Sequence, residues 1–69
     1  MAAMREVTYR GYSIRFHLRN NWSAQIRRPG GYVVMKNGFL TASVEEGEAV
    51  LLERCRARID EEESGPLKL

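Results

Sequence analysis

From Tyr12 to Arg19 the chain alternates without a break: Tyr12, Ile14, Phe16 and Leu18 are apolar, while Ser13, Arg15, His17 and Arg19 are polar. A period of two is the signature of a strand with one face in the core and one in solvent. Asn20-Asn21 follows, and then Trp22, Ala24 and Ile26 alternate with Ser23, Gln25 and Arg27. Asparagine tolerates positive φ, so the pair reads as a hairpin turn between two antiparallel strands. Upstream, Val7 and Tyr9 carry the opposite parity, and the phase changes across Arg10-Gly11, where glycine would supply a bulge.

Pro29-Gly30-Gly31 ends the second of these strands, and Tyr32–Lys36 reads as a third. Asn37-Gly38 is compatible with a turn into a short fourth strand over Phe39–Ala42, or with a bulge inside a longer third one. Ser43 and Glu46 have the spacing of a capping box. Val44, Leu51, Leu52, Cys55 and Ile59 form an apolar helical stripe, and Gly47 on the same side would let the helix approach a sheet closely. Gly65-Pro66 is a stop signal.

The expected fold is α+β: a three-stranded, possibly four-stranded, antiparallel meander with one C-terminal helix packed on one face. It forms a single β-β-β-α domain over residues 7–63, with flexible termini at 1–6 and 64–69. At 69 residues there is room for only one small core. One helix covers only one sheet face, so the other must meet water or a partner. Parity sends Tyr12, Ile14, Phe16, Leu18, Trp22, Ala24 and Ile26 toward the helix. Ser13, Arg15, His17, Arg19, Ser23, Gln25 and Arg27 are sent outward, a surface with three arginines and no acid.

Charge is divided unevenly along the chain. Residues 1–36 hold seven basic side chains against Glu6 alone, a net +6; residues 37–69 hold four basic against eight acidic, a net −4. Such asymmetry suggests a surface for a polyanion, unless the two halves pair with each other inside the fold. Arginine can neutralise phosphates or bond guanine edges, and glutamine can bond adenine. The alternatives are a solvated strand face and a protein partner such as an acidic surface. An amphipathic helix and an unpaired sheet edge also allow a homodimer.

Catalytic chemistry is not expected. His17 and Cys55 are each single and fall on opposite sides of the sheet, so neither a metal cluster nor a Cys–His pair is indicated. The run Asp60–Glu63 is local, a solvated helix end. No phosphate-cradling or nucleophile motif occurs. The expectation is a non-enzyme with no cofactor, no metal, no small-molecule substrate and no membrane span. The N-terminus lacks an apolar signal core and one cysteine allows no internal disulfide, which together suggest the cytoplasm.

Tyr9-Arg10-Gly11-Tyr12, Trp22-Ser23-Ala24-Gln25-Ile26-Arg27 and Phe39-Leu40-Thr41-Ala42 before a helix together resemble the plant ethylene-response-type DNA-binding domain and its bacterial integrase-associated relatives. The layout is also similar to that of short bacterial β-β-β-α proteins and, in its strand–helix plan, of HicB-type antitoxin domains. The first resemblance implies a three-stranded sheet that reads the DNA major groove. By position it makes Arg10, Gln25 and Arg27 DNA contacts and puts Trp22 in the core. The chain departs from the family in three ways: Val33-Val34-Met35 replaces the family's Trp-Leu-Gly, the extra arginines after Arg-Gly are shifted, and Gln25 stands where the family has glutamate. With Arg15 and Arg19 from the strand parity, the candidate nucleic-acid-binding set is Arg10, Arg15, Arg19, Gln25 and Arg27.

Overall fold

The computed structural model describes residues 4–30 and 33–64. Four strands, β1 (Arg5–Tyr9), β2 (Tyr12–Leu18), β3 (Trp22–Arg27) and β4 (Val34–Ala42), are followed by helix α1 (Gly47–Ser64). The strands form one antiparallel meander in the order β1-β2-β3-β4, an α+β fold with the helix on one face. Met1–Ala3, Gly31, Tyr32 and the expected stop at Gly65-Pro66 lie outside the described residues.

The fourth strand comes from the N-terminus, not from Phe39–Ala42. Arg10 (φ 53°) and Gly11 (φ 84°) are both left-handed, as the two central residues of a tight hairpin require when its twist matches the strands it joins. What reads as a bulge in sequence is therefore a turn, and the change of parity marks a change of strand. β1 begins at Arg5, two residues before the expected start of the domain. The Asn20-Asn21 turn closes differently from expectation. Leu18 pairs with Trp22 across a three-residue loop, and neither asparagine is left-handed.

At the other end the bulge alternative holds. Phe39–Ala42 continues β4, with left-handed Asn37 (φ 58°) inside it. Arg27 faces Val34 and Gln25 faces Phe39, so two steps along β3 span five along β4. The three additional residues invert the parity of β4 beyond Gly38. Leu40 and Ala42 turn to the core side, and Phe39 and Thr41 to the far side. A Cβ on Gly38 would lie 2.7 Å from the Met35 carbonyl oxygen and 3.0 Å from that of Ile26, so the irregularity needs a residue without a side chain.

The core lies between the sheet and α1. Ile14, Phe16, Ile26, Met35, Leu51, Cys55 and Ile59 are fully buried, with Tyr12, Ala24 and Ala42 nearly so. Leu51, Cys55 and Ile59 recur at i, i+4 and i+8, one stripe of the helix. Trp22, which parity and size predict to be buried under the helix, is only partly buried, its ring 6.3 Å from that of Phe16, and Leu18, which parity also turns toward the helix, is 38% exposed. They form the last pair at the end of the β2–β3 hairpin.

The capping box forms: the Glu46 N–H donates to Ser43 Oγ at 3.1 Å and the Ser43 N–H to Glu46 Oε1 at 2.8 Å. It closes a turn ahead of the helix rather than the helix's first turn, because left-handed Gly47 (φ 85°) separates the two. Val44 therefore lies off the stripe and is 53% exposed. Nothing lies within 4 Å of a Cβ built on Gly47, so that glycine serves backbone conformation, not close packing on the sheet.

Candidate functional site

The helix face of the sheet is where the two charged halves of the chain meet. Arg5 pairs with Glu48 at 2.9 Å, Arg10 with Asp60 at 2.8 Å, and Arg28 with Glu62 at 2.9 Å. Tyr9 donates its hydroxyl to Asp60 and Tyr12 donates to Glu63, each at 2.9 Å. Arg5 also lies over the Phe16 ring, 5.3 Å from its centroid. Along the β4 edge, Arg54 donates to the Thr41 carbonyl and Arg58 to the Asn37 carbonyl, covering backbone acceptors that an edge strand would otherwise present. Much of the basic excess of the N-terminal half is thus matched by the helix acids.

These contacts make the fold sensitive to pH at both ends of the range. The Arg10 guanidinium and, after it, the Tyr9 hydroxyl hold the Asp60 carboxyl below its ordinary value of 3.8. A carboxylate with a lowered folded pKa contributes fully above its unfolded value and loses that contribution as pH falls through the folded one. The Tyr9 phenol is raised above 10.0, first by its bond to Asp60; Tyr12 is raised mainly by burial and then by Glu63. Their contribution is present below 10.0 and lost as pH climbs past the raised values. Melting temperature is expected to be level between these limits and to fall below pH 4 and above pH 10. In Asp60→Asn the acid fall should be shallower; an unchanged acid limb would show that this cluster does not set it.

The opposite face carries the candidate interface. Cα partners in antiparallel strands share a face, so the pairing Glu6–Arg15–Gln25–Phe39 lays one row across all four strands. Beside it lie His17, Ser23 and Thr41 in a second row, and Thr8, Ser13, Arg27 and Val34 in a third. Ser23 Oγ is 3.4 Å from His17 Nε2. Glu6 accepts a hydrogen bond from Ser13 Oγ and is 3.9 Å from Arg15 Nε. The face is therefore not free of acid, as β2 and β3 alone suggest: pairing with β1 brings in Glu6.

Of the five candidate residues, Arg15, Gln25 and Arg27 come together on this face. Arg10 sits in the β1–β2 turn and reaches to Asp60 on the helix side, while Arg19 lies in the β2–β3 loop, beyond the end of β2. Among the described residues Arg19 and Lys36 make no ion pair.

The same face holds a shallow depression of about 190 Å³, with Arg15, His17, Ser23 and Gln25 along it and Met4 and Phe39 as apolar walls. Phe39 is 72% exposed and Met4 57%. Strand parity alone does not place Phe39 here, because the β4 bulge inverts it. No protein-family model, curated protein or solved structure matches the chain.

The face presents charge, hydrogen-bonding groups and one exposed ring. Among the described residues no group of three or more His, Cys, Asp or Glu side chains is placed to hold a metal ion. Burial pushes the Cys55 thiol up to about 11, so it remains protonated at neutral pH and packs as a small apolar group. No helix among the described residues is long and apolar enough to cross a membrane.

Proposed function

We propose that this protein is a small non-enzymatic module that binds nucleic acid through the outer face of its sheet. The observation that carries the reading is the separation of charge across the sheet. Arg5, Arg10 and Arg28 engage helix acids on one side, whereas Arg15, Gln25 and Arg27 are grouped on the other. A polyanion approaching the outer face meets Arg15 and the Gln25 amide, with Arg27 in the neighbouring row and Glu6 as the acid beside Arg15. The helix acids, matched on the far side, repel it less than their number suggests. A cytoplasmic location suits this reading.

A salt titration tests it. Two phosphate contacts to duplex DNA give a log–log slope of about −1.8, at about 0.9 per contact. With Arg15 on a phosphate, Arg15→Ala should remove about one unit of slope. Gln25→Ala should change sequence preference with the slope kept, and Arg10→Ala should leave both unchanged, because Arg10 is engaged with Asp60. Absence of binding at tens of micromolar protein and low salt, with mixed DNA and RNA pools, would overturn the reading.

A second reading is favoured by β1. It is an edge of the sheet, and Val7 on it is 37% exposed. Two copies pairing through this edge would form a homodimer with a continuous sheet. Sedimentation of the free protein as a dimer, without nucleic-acid affinity, would establish this reading in place of the first.

A further inference from the structure

Resting on the nucleic-acid reading, we infer that the outer face takes a single strand, with one unpaired base seated on Phe39. Among the described residues Phe39 is the largest exposed apolar side chain on this face, and it stands opposite Gln25. A base inside a duplex has both ring faces covered by its neighbours and offers only its edges. An unstacked base offers a whole ring face to an aromatic side chain, and proteins that bind single strands use this contact irrespective of sequence.

The surroundings of Phe39 suit such a base. The depression beside it is walled on its other side by Met4 and contains hydrogen-bonding groups of complementary kinds. Gln25 offers both a donor and an acceptor, Arg15 only donors, and His17 one of each when neutral. Together they can meet the edge of a base whose face lies against the ring. Arg27 is two residues from Gln25 on the same strand, about 6–7 Å along the sheet.

The charge also fits a single strand better than a duplex. The described rows of the face hold Arg15 and Arg27 against Glu6, a small positive excess. A duplex engages proteins largely through many phosphate contacts. A single strand gains much of its affinity from stacking and needs fewer of them.

The test uses the full chain, with fluorescein-labelled eight-nucleotide oligo-U and oligo-dT and a labelled hairpin duplex, followed by fluorescence anisotropy at low ionic strength. Both single strands are expected to bind about 10-fold more tightly than the duplex. Phe39→Ala should lose about 10-fold on the single strands and nothing on the duplex. Phe39→Leu, which keeps apolar bulk without a ring, should lose nearly as much, and Phe39→Trp should retain binding. Melting temperatures of all three variants should stay near that of the parent, since the ring is largely outside the core. Equal affinity for duplex and single strands, untouched by Phe39→Ala but weakened by Arg15→Ala, would overturn this inference and leave nucleic-acid binding standing. No binding of either form would remove both.

Discussion

Phe16→Ala is expected to leave the chain largely unfolded at 25 °C. The Phe16 ring is 1% exposed, the largest side chain wholly inside the core, and truncating such a ring costs about 3–5 kcal/mol. A single core in a chain of this length supplies roughly that much net stability. The ring also supports two neighbours that alanine would release, the Arg5 guanidinium above it and Trp22 beside it. Trp22 is the larger residue, yet it is half-buried at the rim, and Trp22→Ala should cost distinctly less. Urea titrations followed by far-ultraviolet circular dichroism order the two. A Trp22→Ala variant less stable than Phe16→Ala would mean that the β2–β3 hairpin end is packed far more tightly than its exposure indicates. Phe16→Leu, which preserves most of the volume, should fold with a loss below about 1.5 kcal/mol.

β2, β3 and the helix stripe were legible in the sequence because each obeys a single period along its whole length. Alternation from Tyr12 to Arg19 places Ile14 and Phe16 inside whatever lies on either side of them, and Leu51, Cys55 and Ile59 lie on one face of any helix. The elements that were harder to read are those where a period is interrupted. Arg10-Gly11 makes a hairpin with a left-handed arginine, which propensity disfavours, so β1 resembles an extension of β2 with a bulge. Gly47 interrupts the helix pattern for the same kind of reason, a backbone conformation, and this moves Val44 from the stripe to solvent.

The candidate site divides along the same line. Arg15, Gln25 and Arg27 share a face by parity within two strands, and that much was readable. Glu6 joins them only through the β1–β2 register, and Arg10 leaves for Asp60 only because the docked helix brings Asp60 within reach of the β1–β2 turn. Neither event has a local signal, since ion pairs across 50 positions depend on how the layers dock. Phe39 was hidden by the β4 bulge, whose three additional residues could not be counted before the partner strand was known.

Gly38→Ala is expected to cost about 1–3 kcal/mol, the range of overpacking in a closed core, and to disturb the outer face as well as the fold. The Cβ would meet the carbonyl oxygens of Met35 and Ile26 at 2.7 and 3.0 Å and the Met35 side chain at 3.3 Å, and two of these neighbours are backbone. Backbone atoms can yield only by shifting β4 against β3 or by reshaping the bulge. Either movement displaces the register beyond Gly38, which is what turns Phe39 outward and Leu40 toward the core. Gly47 provides the control: its surroundings are open and its constraint is φ alone, so Gly47→Asn should be mild, as asparagine enters the left-handed region more readily than other side chains. Gly38→Asn, where the constraint is space, should be at least as harmful as Gly38→Ala. Thermal melts of the three variants measure the stability side. Proton–proton contacts between Phe39 and Gln25 in the folded fraction report the register. If Gly38→Ala keeps both the parental melting temperature and the Phe39–Gln25 contact, the close approach at Gly38 is not what holds the bulge, and Asn37 with its left-handed backbone becomes the residue that does.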